Sequence, residues 1–159
     1  MELSQTLCGK VLGGVARLRL YDAAKIGAVA YDSKQGSYVA VGVEDGYVPV
    51  EVAFVEGSAS WRESSVAAGE VEHRVAFSLR GVRPAALSEL VALSEQGVVA
   101  EVESAEGTKV LVGYSPEAGA DYPLRLLAAE VATGSERGER AATEITLSST
   151  DGWFSRRVE

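Results

Sequence analysis

His73 is the only histidine in 159 residues, and Cys8 is the only cysteine. An imidazole is the side chain best suited to moving protons near neutral pH. Base catalysis also needs an orienting acid within hydrogen-bond reach, and spacing along this chain does not reveal one. His73 falls instead on the apolar face of an alternating run. That placement predicts a hydrogen-bonded histidine at the core or its boundary, without an acid–base constellation around it. Cys8 has no local signature and reads as a small apolar residue. One cysteine makes neither an internal disulfide nor a multi-cysteine zinc site.

Other chemistry is sought with the same outcome. Cys8, Gly9 and Lys10 precede Gly13 and Gly14, but the spacing is not that of a phosphate loop and no convincing helix follows. Asp32, Glu44 and Asp45 lie near turns without forming the oxygen-ligand ladder of a calcium loop. Ser64 and Ser65 are not in a nucleophile-elbow context. Trp61 and Trp153 fit either an interface anchor or packing within the subunit. No residue is therefore assigned a catalytic, cofactor-binding or metal-binding role, and the sequence predicts no enzyme.

The elements that carry these residues read mostly as strands. Residues 70–80 alternate, with Val71, Val75, Phe77 and Leu79 sharing a face with His73, so a strand with one buried face is expected. Gly81 ends it. Pro84 suits a first helical position, and Leu87, Leu90, Val91 and Ser94 follow at helical spacing. Ser88, Glu89 and Glu95 point to water, and Gly97 fits the residue past the helix end, which predicts one helix over 84–96. Residues 98–103 and 109–114 are β-rich and joined by a hairpin turn at 104–107. Residues 123–133 and 143–149 are two more strands, joined by a polar loop at 134–140.

Toward the N-terminus the pattern weakens. Residues 1–10 show no period and read as an arm. Residues 11–20 are a candidate first strand, 23–28 either a helical turn or a strand start, and 38–43 a strand between turns at 33–37 and 44–46. Residues 48–56 read as a strand at an edge, because of Pro49. Residues 57–68 are Ser-rich and interrupt the β pattern. Turns about every ten residues favour a sandwich or small barrel. The expected fold is mainly β (α+β): an antiparallel β-sandwich or small barrel with one flanking α-helix, in a single domain over 1–159.

Net charge is −8 and the sequence pI about 4.8, which opposes non-specific duplex binding. Arg156 and Arg157, or Arg137 and Arg140, form local basic patches that read as solvated surface. No secretory signal and no membrane-length apolar run is visible, so a reducing cytoplasm is the expected site of synthesis.

A resemblance enters in the last third. Lys109 to Gly113, then Tyr122-Pro123-Leu124-Arg125-Leu126, then Ala132-Thr133-Gly134 with a charged loop and a closing strand over 143–147, is similar to small structural proteins of bacterial prophages. The likeness is to tail-tube-like or neighbouring neck and tail proteins and covers about residues 70–150. Glu136, Arg137 and Gly138 stand where such chains carry an Asp-Arg-Asn-Gly-like turn, and Ile145 stands where they carry an aromatic strand. The resemblance implies a virion subunit that self-assembles with copies of itself and with other virion proteins. A β-sandwich with a flanking helix and loops that pair with neighbours is the implied fold. The residues alone leave a monomeric β-rich module for a small ligand or protein open as the alternative. In the assembling case, residues 2–10 and 134–140 are expected to order on a neighbour, and Lys109, Glu130 and Glu144 to guard exposed sheet edges.

Overall fold

The computed structural model describes residues 14–80, 84–132 and 142–159. The chain runs β1 (Val15–Asp22), a 3-10 turn (Ala23–Lys25), β2 (Ile26–Asp32), β3 (Ser37–Val43), β4 (Val50–Glu51) and β5 (Ser60–Ala67). It continues through β6 (Glu70–Arg80), α1 (Pro84–Gln96), β7 (Val98–Ser104), β8 (Lys109–Val112), β9 (Arg125–Ala132), β10 (Ala142–Asp151) and β11 (Arg156–Val158). One sheet has the order β2-β3-β11-β8-β7-β1-β4 and the other β5-β6-β10-β9. Every pairing is antiparallel except β3 with β11. The fold is a two-sheet α+β sandwich with one helix among the described residues, and neither sheet closes into a barrel.

Alternation builds the main core. On β6 the residues Val71, His73, Val75 and Phe77 point inward and are buried, while Arg74 and Arg80 are exposed. Ile145 and Leu147 of β10 join them, facing Leu18 and Leu20 of β1, Val98, Ala100 and Val102 of β7, and Val112 of β8. Full burial of a side chain such as Phe77 contributes about 1.5–3 kcal/mol. Helix α1 adds Leu87, Leu90 and Leu93 to this core and leaves Ser88, Glu89 and Glu95 in water. It ends where Gly97 takes φ +111° and its N–H donates to Leu93 O at 3.2 Å. A Cβ at Gly97 would stand 2.6 Å from Pro123 Cγ, so both the backbone angle and the space demand glycine.

A second core forms on the other face of β7 and β8. There Val99 and Leu111 pack with Tyr21 and Tyr38, all buried. Ile26, Val29, Val41 and Val43 of β2 and β3 cover them, so the sheet curls back over its own outer face. Strand β7 is thus buried on both sides over Val98–Val102. Strand β11 lies between β3 and β8 and is what hydrogen-bonds the curled part to the rest of the sheet.

Several expectations are corrected. The first strand begins at Val15 and continues to Asp22. The ambiguous stretch after it is both things, a 3-10 turn and then β2, a strand the alternation does not announce. Residues 48–56 form a strand only over Val50–Glu51; Val48 is 77% exposed, Val52 turns into the core, and single bonds tie the Val52 N–H to Leu18 O at 2.9 Å and the Val55 N–H to Ser78 O at 2.7 Å. The Ser-rich stretch is not a break but the edge strand β5, its serines and Arg62 facing water while Trp61 packs on the core and Glu63 turns inward. The three residues of β11 are too short to show a period. Lys109 and Glu144 sit on β8 and β10, which are flanked on both sides, so only Glu130 of the three lies on an edge strand. The arm at 1–10, the loop at 134–140, Cys8, Arg137 and Arg140 lie outside the described residues.

Candidate functional site

The sequence shows no partner for His73, and the sheet register supplies two. Glu63 of β5 is the direct cross-strand neighbour of His73, and Asp151 ends β10 two residues beyond Ser149, which faces His73 on the other side. His73 Nδ1 lies 2.5 Å from Glu63 Oε1, and Nε2 lies 2.8 Å from Asp151 Oδ1. The three side chains are only 1%, 7% and 5% exposed. His73 is the buried, hydrogen-bonded histidine expected, but the expectation of no acid–base constellation around it is corrected, because antiparallel pairing joins residues 10 and 78 positions away.

The two flanking carboxylates favour a doubly protonated imidazole. A neutral imidazole has one N–H, so one of two flanking carboxylates would face a lone pair, whereas an imidazolium donates to both. Burial by itself pulls the His73 pKa down, but the hydrogen bonds to Glu63 and Asp151 outweigh it and hold the pKa above 6.5. Burial pushes Glu63 up, and hydrogen bonds from His73 and Ser155 outweigh that, leaving it below 4.5. The Glu63 carboxylate also accepts from the Ser155 N–H, at 3.2 and 3.1 Å, and Asp151 Oδ1 accepts from the Trp153 N–H at 2.9 Å. The cluster thus clamps residues 152–155, the corner where the chain leaves β10 for β11 in the other sheet. The cluster is closed to solvent, and what it holds is a proton and a backbone corner.

The open feature lies at the other end of the smaller sheet. A cleft of about 700 Å³ separates α1 from the segment that follows β4. Its walls are Val52, Phe54, Leu79, Leu87, Leu90 and Leu93, and Glu51, Glu56, Glu89 and Arg80 stand at its margin. The size is that of small-ligand pockets. A third feature is the outer edge of β9, which α1 approaches at its first residue, where Arg125 Nη1 donates to Glu95 O at 3.4 Å. Among the described residues β9 pairs only with β10, and Leu127 and Val131 are 52% and 42% exposed.

The remaining sequence candidates are structural. Asp32 accepts from the Lys34 N–H at 2.9 Å in a turn, and Glu44 pairs with Lys25 at 2.9 Å. Ser64 and Ser65 are exposed on β5, and Ser65 Oγ donates to Ala67 O at 3.3 Å. Arg156 is held by both oxygens of Glu117, at 2.8 and 2.7 Å, and lies over the Tyr31 ring. Among the described residues no group of three or more His, Cys, Asp or Glu side chains is arranged to hold a metal ion. No described helix is long and apolar enough to cross a membrane. No family model, curated protein or solved structure matches the chain.

Proposed function

We propose that this chain is a non-enzymatic structural subunit of a phage or prophage particle, tail-tube-like in kind, that acts by self-assembly. It is made in the bacterial cytoplasm and ends in the virion, with other copies and other virion proteins as partners. The resemblance over residues 70–150 supports the particle, and a two-sheet sandwich with one flanking helix suits it. The observation that carries self-assembly is the β9 edge. Unpaired strand edges template pairing with another chain unless charge, proline or shortness blunts them. Strand β4 is blunted by its length of 2 residues, and β5 by Arg62 and a register shift at Val66. Strand β9 spans 8 residues, with the apolar run Leu126-Leu127-Ala128-Ala129 and only Glu130 as a charge past its first residue.

Light scattering over a concentration series, with negative-stain imaging, tests the reading. Rings or tubes are expected, and Leu127→Lys should dissociate them while leaving the circular dichroism melt within about 0.5 kcal/mol, as for surface substitutions. A chain that stays monomeric alone and with neighbouring tail proteins would remove the proposal. The 700 Å³ cleft favours a second reading, a monomeric β-rich binding module. Saturable thermal stabilisation of a monomer by a small amphipathic compound, lost in Leu90→Lys, is the result that would favour it.

A further inference from the structure

The corner that carries the chain from one sheet to the other is held by side chains. Among the described residues no backbone-to-backbone bond fixes residues 152–155. Two of their N–H groups go to carboxylates: Trp153 donates to Asp151, and Ser155 donates to Glu63. Both carboxylates are buried, and the imidazole between them is His73. No other charged group acts on that ring among the described residues. The Ser155 hydroxyl lies 3.4 Å from Nδ1, while Arg62, Glu72 and Arg74 on β5 and β6 fall on the outer face by alternation. Beyond the corner the chain continues as β11, and the Glu159 N–H closes this C-terminal strap on Tyr38 O at 2.9 Å. The contacts that fix the corner thus converge on one ring.

We propose that the second proton on His73 is a latch for the strap formed by residues 152–159. While both ring nitrogens carry hydrogen, both carboxylates are satisfied and the corner stays folded over the cluster. Loss of one proton leaves a single N–H between two buried carboxylates, so one of them faces a lone pair. A buried charge without its partner is strongly unfavourable, and water must reach it. Glu63 and His73 sit on strands fixed by their ladders, so those backbones do not yield. The corner has no ladder, and lifting Ser155 off Glu63 opens the way. Strand β11 then leaves the slot between β3 and β8, while β6 and β10 stay paired. Burial draws the His73 pKa down, but the bonds to Glu63 and Asp151 outweigh it and hold it above 6.5, so release falls on the alkaline side of that value. The latch is independent of the self-assembly reading. Arg156, bound to both oxygens of Glu117, ties the same strap without the His73 proton and supplies the control.

Amide exchange of the full-length chain across neutral and mildly alkaline pH, corrected for the intrinsic pH dependence of exchange, tests it. Protection of the Ser155 and Glu159 N–H groups should fall by up to about ten-fold per pH unit above 6.5, the slope of one proton released on opening, and level off past the folded value. Protection along β6 and β10 should not follow it. Glu63→Gln decides the mechanism. Its amide donates to Nδ1 of a neutral ring while its oxygen keeps the Ser155 N–H, and Nε2–H goes to Asp151, so the strap should stay protected and lose the pH slope. His73→Gln, where it folds, should lose the slope with the strap open throughout. Glu117→Gln should lower protection of Glu159 equally at every pH and keep the slope. A native chain without the slope, or a Glu63→Gln chain that retains it, overturns the latch. Loss of protection in β6 and β10 in step with Glu159 overturns it too, and makes His73 a stabiliser of the whole core.

Discussion

The two cores are built by different rules. The core between the sheets is made chiefly of Leu, Val, Ile and Phe, and it needs only shape and area. The core under the curled strands is tyrosine-rich, and its hydroxyls are placed. Tyr21 Oη donates to Glu101 at 2.8 Å, Tyr38 Oη to the Tyr114 carbonyl at 3.3 Å, and the Asp22 N–H donates to Tyr47 Oη at 2.7 Å. The first core tolerates changes that keep volume, while the second depends on partners that are far apart in sequence. It also depends on β11, the short strand that closes it.

Deleting residues 156–159 should have the largest effect. It removes the pairings of Arg157 with Ser37 and Val158 with Tyr38, and the antiparallel pairing with β8. It also removes the Glu159 N–H to Tyr38 O bond at 2.9 Å. Several backbone bonds at ~0.5–1.5 kcal/mol each, with the burial they enclose, make a loss of roughly 5 kcal/mol. Hydrogen exchange should show β2 and β3 losing protection while β6 and β10 keep theirs. Equal loss in both regions would mean the two cores are one cooperative unit.

His73→Gln comes next. It leaves Glu63 and Asp151 buried without their shared cation, a change worth about 3–5 kcal/mol. The pH dependence follows from the directions of the shifts. His73 is raised, so its contribution is complete below about 6.5 and is lost as pH rises through its higher folded value. Glu63 is lowered, so its contribution is present above about 4.5 and is lost as pH falls through its folded value. Thermal melts of the native chain should therefore peak between those limits, and His73→Gln should lack the alkaline fall. An identical alkaline limb in the variant would assign that limb to another group.

The same contrast explains what the sequence made legible. Strand β6, helix α1 and the β7–β8 hairpin repeat a period long enough to read, and Pro84 and Gly97 punctuate them. The His73 clamp was hidden because Glu63, His73 and Asp151 meet through sheet register, which residue type does not encode. The Ser-rich β5 was missed because an edge strand with one wet face needs few apolar residues, and only Trp61 signalled its inner face. The second core is hidden because Val98-Val99-Ala100 is a short apolar run that allows double burial without saying what covers the second side, and Glu101 beside it reads as a residue facing water. The cleft is set by how α1 sits against the segment after β4 and has no period at all.

Tyr21→Phe should have the smallest effect and separates the two cores most cleanly. The ring stays, so packing against Val99 and Leu111 is kept, and only the bond to Glu101 is lost. Tyr21 is 6% exposed and Glu101 9%, so water does not readily replace the hydroxyl. Burial first, and the Glu101 hydrogen bond second, push the Tyr21 pKa up to about 12, so the phenol is the donor at any ordinary pH. A hydrogen bond to a charged group is worth about 1.5–3 kcal/mol. Arg19, the cross-strand neighbour of Glu101, keeps a cation nearby and places the cost toward the lower figure. Denaturant melts should show that loss, and the double variant Tyr21→Phe with Glu101→Gln should cost less than Tyr21→Phe alone, since a neutral amide is easier to leave unpaired. If Tyr21→Phe is neutral, the second core is held by ring packing alone, and the contrast between the cores reduces to side-chain size.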